Sequence, residues 1–199
     1  MKKIFALLLI FTCAFALFAC GKEKGPSPEE IAYREAVKTF TDAAAAVPTT
    51  LSVSVKATTA LGVLKSSYIT SYNQDGSSTI AYSVDKVNGL DSAEDFTPVT
   101  GTINVDAAGN YSDGGAFAGS NPAATGVKID FASDKITCSI KGNTLSAVVA
   151  AADTQAVLGI ALPSDAVITA NKSANKITAI TVSYTAAEGA VEIVCAYGY

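Results

Sequence analysis

A chain of 199 residues, 49% hydrophobic and 16% charged, with a formal charge of −4, is long enough for one packed domain and too apolar for disorder. It has no His and no Trp, which removes Ser-His-Asp and Cys-His catalysis and every His-ligated metal or haem. The acidic balance argues against a nucleic-acid partner, because phosphate binding needs clustered Lys and Arg.

Lys2 and Lys3 precede an apolar run from Ile4 to Ala19, broken only by Thr12 and Cys13. The run is shorter than the roughly twenty residues of a spanning helix, so a cleaved export signal over 1–19 is expected. It ends Leu17-Phe18-Ala19-Cys20 and turns polar at once with Gly21-Lys22-Glu23-Lys24. That order resembles the lipobox of bacterial lipoproteins: an aliphatic residue, then a small one just before Cys. The resemblance implies that a diacylglycerol joins the Cys20 thiol, with palmitate-type chains, and that cleavage leaves Cys20 first. It also implies export and anchoring on a bacterial membrane, at the cell surface or the periplasmic face, since two or three acyl chains hold a protein stably. Loss of the signal removes two lysines and no acid, so the remainder is more acidic still.

After a tether over 20–26, one α+β domain is expected over 27–199. Ser27-Pro28-Glu29-Glu30 combines an N-cap Ser, Pro at the first helical position and Glu at the third. Tyr33, Ala36, Val37, Phe40, Ala44 and Val47 follow at helical spacing until Pro48, which predicts a helix over 28–46.

Beyond Pro48 the period becomes two, as in Leu51-Ser-Val53-Ser-Val55. Asn73-Gln74-Asp75-Gly76 suits a three-residue bulged hairpin loop, which sets Tyr68 opposite Tyr82 and Thr70 opposite Ile80. Tyr68, Tyr72, Ile80, Tyr82 and Val84 then share one face. The same device over 106–109 pairs Val105 with Tyr111, and over 172–175 it pairs Ile168 with Ile180, with Asn175 left-handed. A loop over 132–135 links Ile129/Phe131 to Ile136/Cys138, and Glu188-Gly189 links Ile180/Val182/Tyr184 to Ile193/Cys195/Tyr197. Between these, Leu145, Val148, Val149 and Ala152 at helical spacing predict a helix after Thr144, with a second turn from Asp153 to Gly159. The sum is a curved antiparallel sheet of about ten strands, a hairpin meander, packed on an N-terminal helix and a short helical insertion.

Chemistry-bearing patterns are few. Ser83-Val84-Asp85-Lys86 and Ser173-Ala174-Asn175-Lys176 match Ser-x-x-Lys, but that motif works when Ser opens a helix, and here the serines fall in a strand and a turn. Asp91, Glu94 and Asp95 crowd one loop without the register of a calcium loop. Asp113 to Pro122 is glycine-rich but lacks the ending of a phosphate loop. No catalytic residue, no metal site and no cofactor are therefore expected. Cys138 and Cys195 both face inward, and two readings stand open: a disulfide in an exported protein, or two separate core thiols.

The Tyr-bearing face (Tyr68, Tyr72, Ile80, Tyr82, Val84) is the candidate ligand-binding surface. It is solid core if the helices pack tightly on it and a cavity for an apolar ligand if they stand off. The order tether, helix, meander, short helices and final hairpins, with turns at Asn175 and Gly189, resembles LolA-like and LppX/LprG-type lipid-carrying lipoproteins. The resemblance implies a sheet wrapped over helices with an apolar cavity between, and a lipid or apolar ligand. The alternative expectation is a structural or protein-interaction module of the cell envelope, with an unidentified protein partner.

Overall fold

The computed structural model describes residues 25–60, 62–87, 96–112 and 126–199. The expected signal and Cys20, the acidic segment with Asp91, Glu94 and Asp95, and the glycine-rich loop 113–122 lie outside the described residues.

The chain divides into two compact units, 1–34 and 35–199. In the first, the described residues start helix α1 (Pro28–Ala44) as the sequence predicts. The Glu30 N–H donates to Ser27 Oγ at 3.1 Å and the Ile31 N–H to the Ser27 carbonyl, so a cap occupies donors that the first turn would leave unpaired. Arg34 pairs with Glu30 at 2.6 Å, one turn apart and exposed.

Within the second unit, α1 buries Phe40 and Ala43 completely and Val37 in part. The stripe expected from the sequence continues through Ala44 to Val47. Instead the helix tightens at its end, where the Ala45 and Ala46 N–H groups reach back three residues to the Asp42 and Ala43 carbonyls. Pro48 follows, and Val47 is left 86% exposed.

Ten strands form one antiparallel sheet among the described residues. They are β1 (Thr50–Thr59), β2 (Gly62–Tyr72), β3 (Ser78–Val87), β4 (Phe96–Val105), β5 (Tyr111–Ser112), β6 (Thr137–Lys141), β7 (Thr144–Val149), β8 (Ala166–Ser173), β9 (Lys176–Ala186) and β10 (Gly189–Gly198). The order β5-β4-β3-β2-β1-β10-β9-β8-β7-β6 consists of two meanders that meet where β1 pairs with β10. The class is α+β, as expected.

Period-two alternation decides which face is buried. A single cross-strand row runs Gly101, Tyr82, Tyr68, Val53, Cys195, Ile180, Ala170, Leu145, Ile140, and nearly all of it is buried. The next row, on the opposite face, reads Thr100, Ser83, Ser67, Ser54, Val194, Thr181, Thr169, Ser146, Ser139. One face is the core and the other is a hydroxyl-rich solvent face.

The bulged hairpins form as predicted. Tyr68 faces Tyr82, Thr70 faces Ile80 and Val105 faces Tyr111, with Gly76 and Gly109 both left-handed at φ 85°. Each loop is tied by an aspartate. The Ser77 hydroxyl and N–H donate to Asp75, and the Asn110 side chain and N–H donate to Asp106, which holds both carboxyls below the usual range. The last hairpin keeps the expected inward face, but its two-residue loop is Ala187-Glu188 and Gly189 already pairs with Ala186. Ile180 therefore faces Cys195 and Val182 faces Ile193, a register two residues from that of a Glu188-Gly189 turn.

Three further expectations are corrected. Residues 144–149 are strand β7, not helix: Leu145, Ala147 and Val149 are buried and Ser146 and Val148 exposed, a period of two that the Ala-rich spacing conceals. Gly142-Asn143 is the two-residue turn that folds β7 onto β6, with Gly142 at φ 59°. Helix is confined to a 3-10 turn over Ala151–Asp153 and α2 (Thr154–Leu158), which Gly159 ends in the left-handed region. In the β8–β9 hairpin the left-handed residue is Ala174, at φ 50°, and Ile168 faces Val182, not Ile180. The loop there is two residues long, and a bulge between Asn171 and Lys172 restores the inward face. Finally, Ile129 and Phe131 are not on a strand. Residues 126–131 run as an irregular strap held to other parts of the body by hydrogen bonds.

Candidate functional site

The strap, the end of α1 and the inner sheet face frame a half-open cleft of about 700 Å³. Its floor is apolar: Leu51 from β1, Ile177 and Ile180 from β9, and Phe131 from the strap, all buried. One wall is the end of α1 at Ala44 and the segment after it, with Ala46, Val47 and Pro48. The β2–β3 turn adds Tyr72, Asn73, Gly76 and Ser77 to the lining, and the end of β10 supplies Tyr197 and Tyr199.

The strap is positioned by side chains rather than by a sheet ladder. The Val127 N–H donates to Cys195 Sγ at 3.4 Å, and the Tyr197 hydroxyl donates to the Val127 carbonyl at 3.1 Å. Farther along, the Asp130 N–H donates to the Val157 carbonyl at 2.9 Å, which ties the strap to α2. Phe131 then stacks at a tilt on Phe40, centroids 5.8 Å apart, and so joins strap to helix. At Gly126 the backbone takes φ 61° and passes so close to Leu51 that a Cβ would press on its methyl groups. Burial pushes the Tyr197 phenol far above its usual range, helped by the neighbouring Cys195, and burial also raises the Cys195 thiol. Neither group is ionised near neutral pH, so both serve as fixed hydrogen-bonding partners.

The cleft rim carries polar groups of a different kind. The Tyr199 hydroxyl donates to the Ile177 carbonyl, with the Lys176 ammonium 4.6 Å from the Tyr199 ring centroid. Tyr72 and Lys128 also line the cleft, and burial raises the Tyr72 phenol. Lys128 is the one charged side chain in the described lining.

Of the face read from sequence as ligand-binding, only Tyr72 lines this cleft. Tyr68, Ile80 and Tyr82 are buried in the core and Val84 is half-buried beside them. Tyr82 lies across Gly101 on the next strand, filling the place where a Cβ would stand. That end of the face is solid, and the opening lies instead toward β9 and β10. The lining residues from 126–131 and 177–180 carry no sequence signal of a site, because each looks, locally, like ordinary core.

Cys138 and Cys195 are not joined in a disulfide. They lie on β6 and β10 with three strands between, a separation of roughly 19 Å at the usual strand spacing of about 4.8 Å, far beyond disulfide reach. Ser83 sits within β3 and Ser173 at the end of β8, so neither Ser-x-x-Lys match opens a helix. Among the described residues no cluster of three His, Cys, Asp or Glu could hold a metal, and no helix is long and apolar enough to cross a membrane.

No protein-family model and no curated protein matches the sequence. Among solved structures, the chain is similar to the crystal structure of LprF from Mycobacterium bovis, at 15% identity over 88% of this chain and 95% of that one, with a TM-score of 0.41.

Proposed function

We propose that the chain is an exported, lipid-anchored protein of a bacterial envelope whose domain from residue 27 onward binds an apolar or amphiphilic ligand without chemistry of its own. The cleft carries the reading: about 700 Å³, with an apolar floor and a few polar groups at the rim, falls within the roughly 300–1,000 Å³ usual for small-molecule sites. A second support is the order Leu17-Phe18-Ala19-Cys20 at the end of an apolar run, which fits lipid attachment at Cys20 and, through it, a membrane anchor.

Two measurements test the two halves. The full chain purified from native membranes, extracted with organic solvent and analysed by mass spectrometry, is expected to release a lipid-like molecule. Ala46→Trp, which fills the cleft from the wall that follows α1, is expected to release much less while keeping its thermal transition. An empty extract from both proteins would reject the ligand. Intact mass of the native product should show acylation at the first residue, and Cys20→Ser should leave the membrane fraction. A bare thiol at position 20 would reject the anchor.

A further inference from the structure

We infer that the cleft takes a single-chain anionic amphiphile, with its chain along the apolar floor and its charged head at Lys128. This inference rests on the reading of the cleft as a ligand site and narrows its occupant.

Charge is the first argument. The protein is acidic overall, at −4, yet the side chains in the described lining of the cleft include one ammonium and no acidic group. Two more ammoniums stand one ring away. Lys176 lies over Tyr199, itself a lining residue, and Lys172 lies 5.4 Å from the centroid of Phe40, which stacks on the lining Phe131. The carboxylates nearest in sequence are held by hydrogen bonds within their own turns: Asp75 accepts from the Ser77 N–H and hydroxyl, and Asp130 accepts from the Ala132 N–H at 3.1 Å. Among the described residues no carboxylate pairs with Lys128, and its exposed side chain at the cleft rim is open to an incoming anion. Tyr72 adds a hydroxyl donor in the same lining.

Size is the second argument. At roughly 30 Å³ per non-hydrogen group, a water's share of liquid volume, a 700 Å³ cleft holds on the order of twenty such groups. Palmitate or a small lysophospholipid is of that size, and a two-chain phospholipid is about twice too large. A fatty-acid carboxylate and a lysophosphatidate phosphate share the recognised chemistry, one chain and one anionic head.

The test is equilibrium binding of labelled palmitate, 1-palmitoyl lysophosphatidate and the neutral 1-monopalmitin to the full chain, with Lys128→Glu, Lys128→Gln and Ala46→Trp alongside. Both anions should bind at least tenfold tighter than monopalmitin, and the tighter of them assigns carboxylate or phosphate. Lys128→Glu should weaken the anions about tenfold, Lys128→Gln somewhat less, and neither should alter monopalmitin. Ala46→Trp should weaken all three. Equal binding of neutral and anionic probes, or anion binding indifferent to Lys128, overturns the head-group inference while leaving the cleft reading intact. Competition by dipalmitoyl phosphatidylglycerol as strong as by palmitate overturns the single chain. Binding of every probe unchanged by Ala46→Trp overturns the cleft reading itself.

Discussion

Thr70 is 2% exposed, faces Leu51 on β1 and Ile80 on β3, and its hydroxyl has no hydrogen-bond partner among the described residues. A buried hydroxyl without a partner costs about 1–3 kcal/mol of desolvation, and nothing nearby returns it. Thr70→Val keeps the shape and the strand propensity, so it should raise stability by about 1 kcal/mol in urea unfolding, with an unchanged m-value. Gly189 is the opposite case. It begins β10 at φ 147°, and a Cβ there would run into the Thr58 carbonyl on β1, a backbone atom that cannot swing aside. Gly189→Ala combines a disfavoured backbone with that collision, so it should cost at least about 2 kcal/mol by the same measurement.

Hairpins and strap differ in how local their determinants are. Asn73–Gly76 and Asp106–Gly109 carry their loop type in their own residues, so the pairing of Tyr68 with Tyr82 and of Val105 with Tyr111 is legible in the sequence alone. Residues 145–149 are ambiguous, because positions 145 and 149 suit a helix face as well as a strand face. The Gly142-Asn143 turn is the signal that decides between them. The cleft is barely legible at all: the partners of Val127 lie 68 and 70 residues away, on Cys195 and Tyr197, and no local period encodes such a contact. The clamp has a pH signature. Tyr197 and Cys195 are neutral when protonated, and burial raises both in the folded state. Their contribution is therefore fully present below the unfolded pKa values, near 9 to 10, and is lost as pH rises beyond them. Stability should fall from about pH 9 upward, and Tyr197→Phe should flatten that fall. At pH 7 the same variant should cost about 1 kcal/mol for the hydrogen bond to Val127 and speed amide exchange at the strap.

The two meanders make different demands on folding. Each hairpin closes a short loop, whereas β1 and β10 come from opposite ends of the second unit and pair over ten positions, from Thr50 with Gly198 to Thr59 with Gly189. Because that pairing sits in the middle of the sheet, neither meander can bury its innermost strand until the other has formed. Inward residues at this joint, Val53 on β1 and Cys195 on β10, face each other in one core shared by both meanders. The expectation is a single cooperative transition, reached slowly because the loop-closure entropy must be met before the central pairing is formed. With no Trp, tyrosine fluorescence and far-UV circular dichroism are the natural probes, and their urea curves should coincide. Val53→Ala should shift both curves together by about 2 kcal/mol, since the cavity opens at the joint itself. Val148→Thr, on the exposed face of β7, should move neither by more than about 0.5 kcal/mol. Two separated transitions, or a Val53→Ala effect seen by one probe alone, would mean that the meanders fold as independent sheets and that the β1–β10 pairing merely docks them.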